Sequence, residues 1–162
     1  MEGRSFFGPG TALLGPRVLA VGPGPASPVF RIHLDAGIGW GTARDTLGDV
    51  SVTLASGGLG FALVGGRGVF HFDVGPNAEF GWAWIRGVAK SSGARGATLS
   101  GAFGSASVRA GVLAALAPHW GIVAAIDLGL AFSGVEAQAD GRSVARTAGP
   151  MLGARAGLVY AF

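Results

Sequence analysis

The sequence predicts an all-β protein, an antiparallel up-and-down transmembrane β-barrel with six clear strands and one or two weaker ones near the N-terminus, about eight in all. Three observations predict it. Apolar residues recur at every second position through long segments, short and long connections alternate between those segments, and aromatic residues collect near both segment ends.

Composition restricts the alternatives. Only 13% of the 162 residues are charged and 31 are glycine, whereas an ordinary globular domain is roughly 25% charged. Mean hydropathy is positive, yet no stretch without Asp, Glu, Lys or Arg is longer than Ala110–Ile126, which contains Pro118-His119. A spanning helix needs about 20 predominantly apolar residues, so the apolar content must be spread over many strands. The absence of cysteine excludes disulfide scaffolds, thiolate metal sites and cysteine nucleophiles, and it fits passage through an oxidising compartment. The net charge of +3 rests on 12 basic residues without a basic run interleaved with aromatics, which argues against nucleic acid as a partner. No clean secretory signal is seen, because Pro16 and Arg17 interrupt the apolar stretch Thr11–Gly22.

Residues 1–28 form a Gly/Pro-rich segment in which "FFGPG" and "ALLGPRVLAV" are weak strand candidates, disfavoured by Pro9, Pro16 and the run Pro23–Pro28. Two readings stay open there, poor strands or a truncated start. The barrel domain proper is expected over 29–162. Its first strand alternates Phe30, Ile32, Leu34, Ala36, Ile38 and Trp40 against Arg31, His33 and Asp35. The second starts on Val50, Val52 and Leu54, then changes phase to Leu59, Phe61 and Leu63, which predicts a bulge at Ser56-Gly57-Gly58. The third sets Phe70, Phe72, Val74, Phe80, Trp82 and Trp84 against His71, Asp73, Asn77 and Glu79. The fourth sets Ala106, Val108, Ala110 and Val112 against Ser105, Ser107 and Arg109. The fifth runs through Trp120, Ile122, Ile126, Leu128, Leu130 and Phe132, opposite Asp127. The last, Gly149–Phe162, sets Leu152, Leu158, Tyr160 and Phe162 against Arg155.

These segments exceed the five or six residues usual for soluble strands and reach the roughly 9–11 that a tilted membrane strand needs. Connections 65–68 and 117–119 are short, whereas 86–97 and 133–147 are long, so the two ends of the barrel differ. Phe30, Phe70, Phe72, Trp120, Tyr160 and Phe162 fall toward the short-turn end, and Trp40, Phe80, Trp82, Trp84 and Phe132 toward the other, as two aromatic girdles. The opposite face carries Arg31, His33, Asp35, His71, Asp73, Glu79, Arg109, Asp127 and Arg155, a near-balanced set suited to pairing in a narrow lumen that side chains fill. A soluble barrel would reverse these faces and line an apolar cavity with Phe72, Phe80 and Trp82.

The terminal Phe162 with Tyr160 and Leu158 before it, the two girdles and the alternating connections give the chain, over about 29–162, a pattern that resembles small, roughly eight-stranded bacterial outer-membrane β-barrel proteins. That resemblance implies a non-enzymatic outer-membrane protein with a structural or surface-interaction role or a narrow pore. It also implies outer-membrane lipid as surroundings and a C-terminal strand (Leu158, Tyr160, Phe162) read by the outer-membrane assembly machinery.

No nucleotide fingerprint, P-loop or G-x-S-x-G is present, and no cofactor is expected. His33-Leu34-Asp35 and His71-Phe72-Asp73 repeat H-x-D, and a barrel enzyme using His71 and Asp73 is the catalytic alternative to a purely structural polar interior. Arg86, Lys90 and Arg95 cluster beside Trp82 and Trp84, where lipopolysaccharide phosphates would meet them, although a solvated loop would read the same way.

Overall fold

Side chains that alternate between two environments hold a chain extended, and here they do so along nearly its whole length. The computed structural model describes residues 1–7, 11–23, 30–45, 48–90, 96–117, 120–139 and 142–160. Among them are eleven strands: β1 (Glu2–Phe6), β2 (Ala12–Gly15), β3 (Arg17–Pro23), β4 (Phe30–Asp45), β5 (Gly48–Arg67), β6 (Phe70–Ala89), β7 (Thr98–Ala117), β8 (Trp120–Ser133), β9 (Glu136–Ala139), β10 (Arg142–Arg146) and β11 (Gly149–Tyr160).

The sheet closes on itself. Antiparallel pairing follows chain order from β3 through β8, then β8 pairs with β11, β11 with β1, and β1 with β2. Pro16 interrupts β2 and β3, which together make one stave because both pair with β4. The barrel therefore has eight staves in up-and-down order. The weak candidate Ala12–Val21 supplies one of them as β2 and β3, whereas β1, Glu2–Phe6, lies before the candidate at 6–10 and shares only Phe6 with it. Beyond Glu2, which lies opposite Arg155, β3 pairs with β4 and β11 with β8, and no pairing joins β3 to β11 among the described residues.

The phase change in β5 is not a bulge. The β4–β5 register runs without a shift from Phe30↔Leu63 to Asp45↔Gly48. Val52 and Leu54 face inward and are buried, whereas Leu59, Phe61 and Leu63 face outward and are exposed. What changes along β5 is the lumen, which passes from an apolar to a polar filling. Register shifts occur instead at Gly104/Ser105 and Ala115/Ala117 in β7–β8 and at Ser143/Ala145 in β9–β10.

Pro76 sits inside β6, where it has no N–H to give. The β5–β6 register is the same on both sides of it, but the ladder pairs of Phe61 and Ala62 are missing. Staves also approach closely at particular glycines. A Cβ on Gly81 would lie 2.0 Å from the carbonyl oxygen of Ala55 on β5. Backbone cannot yield there as a side chain does, so Gly81→Ala is expected to destabilise the barrel by about 1–3 kcal/mol, read as a lower urea midpoint.

Two layers fill the interior. Toward the end bearing the long connections, Phe6, Leu13, Val52, Leu54, Ala83, Ile85, Phe103, Ala131, Ala145 and Met151 form an apolar plug. The β9–β10 hairpin leans from the β8–β11 connection toward β4, β5 and β6 across that mouth. Thr147 and Val135 latch its base, with Val135 N donating to Thr147 Oγ1 at 2.9 Å and Thr147 N donating to the Val135 carbonyl at 2.9 Å. Below the plug lies the polar layer.

Candidate functional site: an ion-pair lumen inside an apolar wall

Every stave sends at least one polar side chain into the middle of the lumen. The alternation that places an apolar residue outside leaves its neighbours inside: Glu2 and Arg4 on β1, Arg17 on β3, Asp35 on β4, Ser56 on β5, Asn77 and Glu79 on β6, Arg109 on β7, Asp127 on β8 and Arg155 on β11. Four guanidiniums and four carboxylates join into one network.

Glu79 is fully buried (0% exposed). It accepts from Arg4 at 2.7 and 2.9 Å and from Arg155 at 2.7 Å, with Arg17 at 3.2 Å. Arg155 also reaches Asp35 at 3.0 Å and Asp127 at 2.8 Å. Arg109 bridges Asp35 at 2.9 Å and Asp127 at 3.0 Å. Arg17 pairs with Asp35 and, at 2.8 Å, with Glu2, while Arg4 reaches Glu2 at 2.7 Å. The Arg4 guanidinium also lies 5.6 Å from the ring centre of Phe103, which joins the polar layer to the plug. All four of these arginines face two or more carboxylates, the arrangement that offsets the desolvation of buried charge.

The layer is electrically neutral, with four charges of each sign. Subtracting it from 12 basic and 9 acidic residues leaves eight against five, so the whole net charge of +3 lies outside the network.

Six of the nine sequence-derived interior residues meet here or touch the network. Asp35, Glu79, Arg109, Asp127 and Arg155 are members, while His33 lies buried with Nδ1 at 3.5 Å from Arg109. Arg31, His71 and Asp73 stand apart, half-buried toward the short-turn end. His71 and Asp73 lie opposite Leu113 and Gly111 of β7. Asp73 fills the space over Gly111, where an added Cβ would meet its Oδ1 at 2.8 Å. Among the described residues no three His, Asp or Glu side chains converge as metal ligands. Glu2, Arg4 and Arg17, the other three of the network's eight members, come from the segment in which prolines obscured the alternation.

The outer wall is the reverse of the lumen. Phe30, Phe70, Phe72 and Trp120 project outward near the short-turn end, and Trp40, Phe80, Trp82, Trp84 and Phe132 near the other. Phe80 is 65% exposed and packs edge-on against Phe132 with ring centres 6.4 Å apart. Phe72, Phe80 and Trp82, the residues that an apolar internal cavity would need, therefore lie on the outer wall. Between the two rings of aromatics, Leu34, Leu59, Val74, Val108, Ile122, Ile126, Leu128 and Leu152 are exposed on the same face. From Phe70 to Trp82 is twelve steps of β6, about 40 Å along the strand and about 30 Å along the barrel axis at an ordinary strand tilt. Tyr160 lies opposite Trp120 at the end of β11. Phe162 and Arg95 lie outside the described residues.

No protein-family model matches the chain, and no curated protein matches it.

Proposed function

We propose that the chain is a non-enzymatic integral β-barrel of the bacterial outer membrane, with a structural or surface-interaction role and a lumen closed to solutes. The observation that carries this reading is the pairing of opposites on one closed sheet. The outer wall is a belt of exposed Leu, Val, Ile and aromatic side chains, while the charges are gathered in a neutral network inside. Soluble monomers rarely expose contiguous apolar patches beyond a few hundred Å². A belt that encircles a barrel between two aromatic rings matches the thickness and chemistry of a bilayer instead.

Closure of the lumen follows from its two layers. Water and ions meet interlocked ion pairs with no excess charge, then an apolar plug in which Phe6 and Phe103 pack edge-on at 6.2 Å. The segment Leu158, Tyr160 and Phe162 is the part we assign to recognition by the assembly machinery. Planar-bilayer recordings in concentrated KCl test the closed state. The protein should insert without stable current steps, and Phe103→Ala with Met151→Ala, which hollows the plug, should introduce them. Steady conductance from the unaltered protein would make it a pore.

A further inference from the structure

We propose that the outward tier above the tryptophans on β4–β7 binds the phosphorylated saccharide head of a membrane glycolipid; this rests on the membrane reading above. The register brings the tier together. Thr42 lies opposite Ser51, Ser51 opposite Arg86, and Arg86 opposite Thr98. Directly opposed residues share a face, and all four are exposed on the outer wall. One step nearer the membrane, Trp40, Thr53, Trp84 and Ser100 form the next row in the same register. One step farther out, Arg44 lies opposite Asp49.

Height places this tier among lipid headgroups. Arg86 is two residues beyond Trp84 and four beyond Trp82, about 5 and 10 Å farther from the bilayer centre at ordinary strand rise and tilt. Charge then selects the ligand's sign. Asp49 is engaged by Lys90 at 2.6 Å, and no carboxylate stands within salt-bridge distance of Arg44 or Arg86 among the described residues. Two guanidiniums without a carboxylate partner favour phosphate, which they can grip with paired N–H groups.

Breadth selects the class of head. The row crosses four neighbouring staves, about 14 Å at the usual strand spacing. That is wider than a single phosphodiester and carries three hydroxyls, Thr42, Ser51 and Thr98, suited to sugar hydroxyls. Ser51 Oγ donates to the Arg86 carbonyl at 3.3 Å, so its hydroxyl oxygen is left to accept from a ligand donor. Lys90 is held by Asp49, so Arg44, two staves from Arg86 and one step farther out, replaces it as the second cation.

The test uses the full chain folded in neutral detergent micelles, with folding verified by a boiling-dependent gel shift. Tryptophan emission is followed while lipid A, a diphosphorylated diglucosamine lipid, is added, and phosphatidylglycerol is added in parallel. Saturable binding of lipid A at least tenfold tighter than phosphatidylglycerol is expected. Arg86→Gln should weaken it about tenfold, and Arg86→Lys, which keeps the charge and loses the planar fork, should weaken it less. Equal binding of the two lipids, or binding that neither Arg86 variant changes, would overturn the assignment while leaving the barrel reading intact. A chain that stays soluble in buffer and gives no gel shift in micelles would instead overturn the membrane reading, and this proposal with it.

Discussion

Glu79→Ala is expected to destabilise the barrel by about 3–5 kcal/mol, the range for removing one member of a buried ion-pair group. The magnitude follows from what is left behind. Arg155 keeps Asp35 and Asp127, and Arg17 keeps Asp35 and Glu2, but Arg4 retains Glu2 alone. The lumen then holds four guanidiniums against three carboxylates in a region closed to water on one side by the plug. Urea titration of the barrel in lipid vesicles measures the loss as a lowered midpoint. Removing the orphaned cation as well, in Glu79→Ala with Arg4→Leu, restores neutrality and is expected to recover about 1–3 kcal/mol through coupling between contacting residues. A loss below about 1 kcal/mol for Glu79→Ala would mean that water reaches the network and screens it.

The second large effect lies on the outer wall. Ile126 is exposed and stands six residues from Trp120 and six from Phe132, midway between the two aromatic rings on β8. An arginine at the midplane of a membrane barrel costs about 2–4 kcal/mol, falling to about 0–1 near the interfaces. Ile126→Arg is therefore expected to lower the stability of the barrel in vesicles by that larger amount, and Ser51→Arg, in the tier beside Arg86, by little. Equal, small effects at both positions would place the outer wall in water.

The alternation of period two made the outer wall legible, because nearly every outward position from β4 to β11 is apolar while glycine, serine and charge fall inward. For that reason the six segments of the sequence correspond to β4, β5, β6, β7, β8 and β11. The same rule misread β5. Val52 and Leu54 are apolar and inward because they belong to the plug, so a change of lumen filling mimicked a change of register. Glu2, Arg4 and Arg17 escaped notice because β1 has five residues, β2 four and β3 seven, too few for a periodic signal with Pro16 between them. The one available sign was "EGRSF", where Glu2, Arg4 and Phe6 alternate with small residues and all point inward. Phe103 was equally hidden, since a lone inward aromatic among Gly, Ala and Ser carries no pattern of its own. Which carboxylate meets which guanidinium depends on register across eight staves, and no local stretch of sequence contains that.

The most direct test of an inside-polar, outside-apolar barrel is dilution of the urea-unfolded chain into phosphatidylcholine vesicles and, in parallel, into buffer, with boiled and unboiled samples compared on a denaturing gel. A compact unboiled band that appears with vesicles and not with buffer is the predicted result, because the exposed belt of Leu, Ile, Val and aromatic residues needs lipid to cover it. A monodisperse, folded protein in buffer alone would contradict the account.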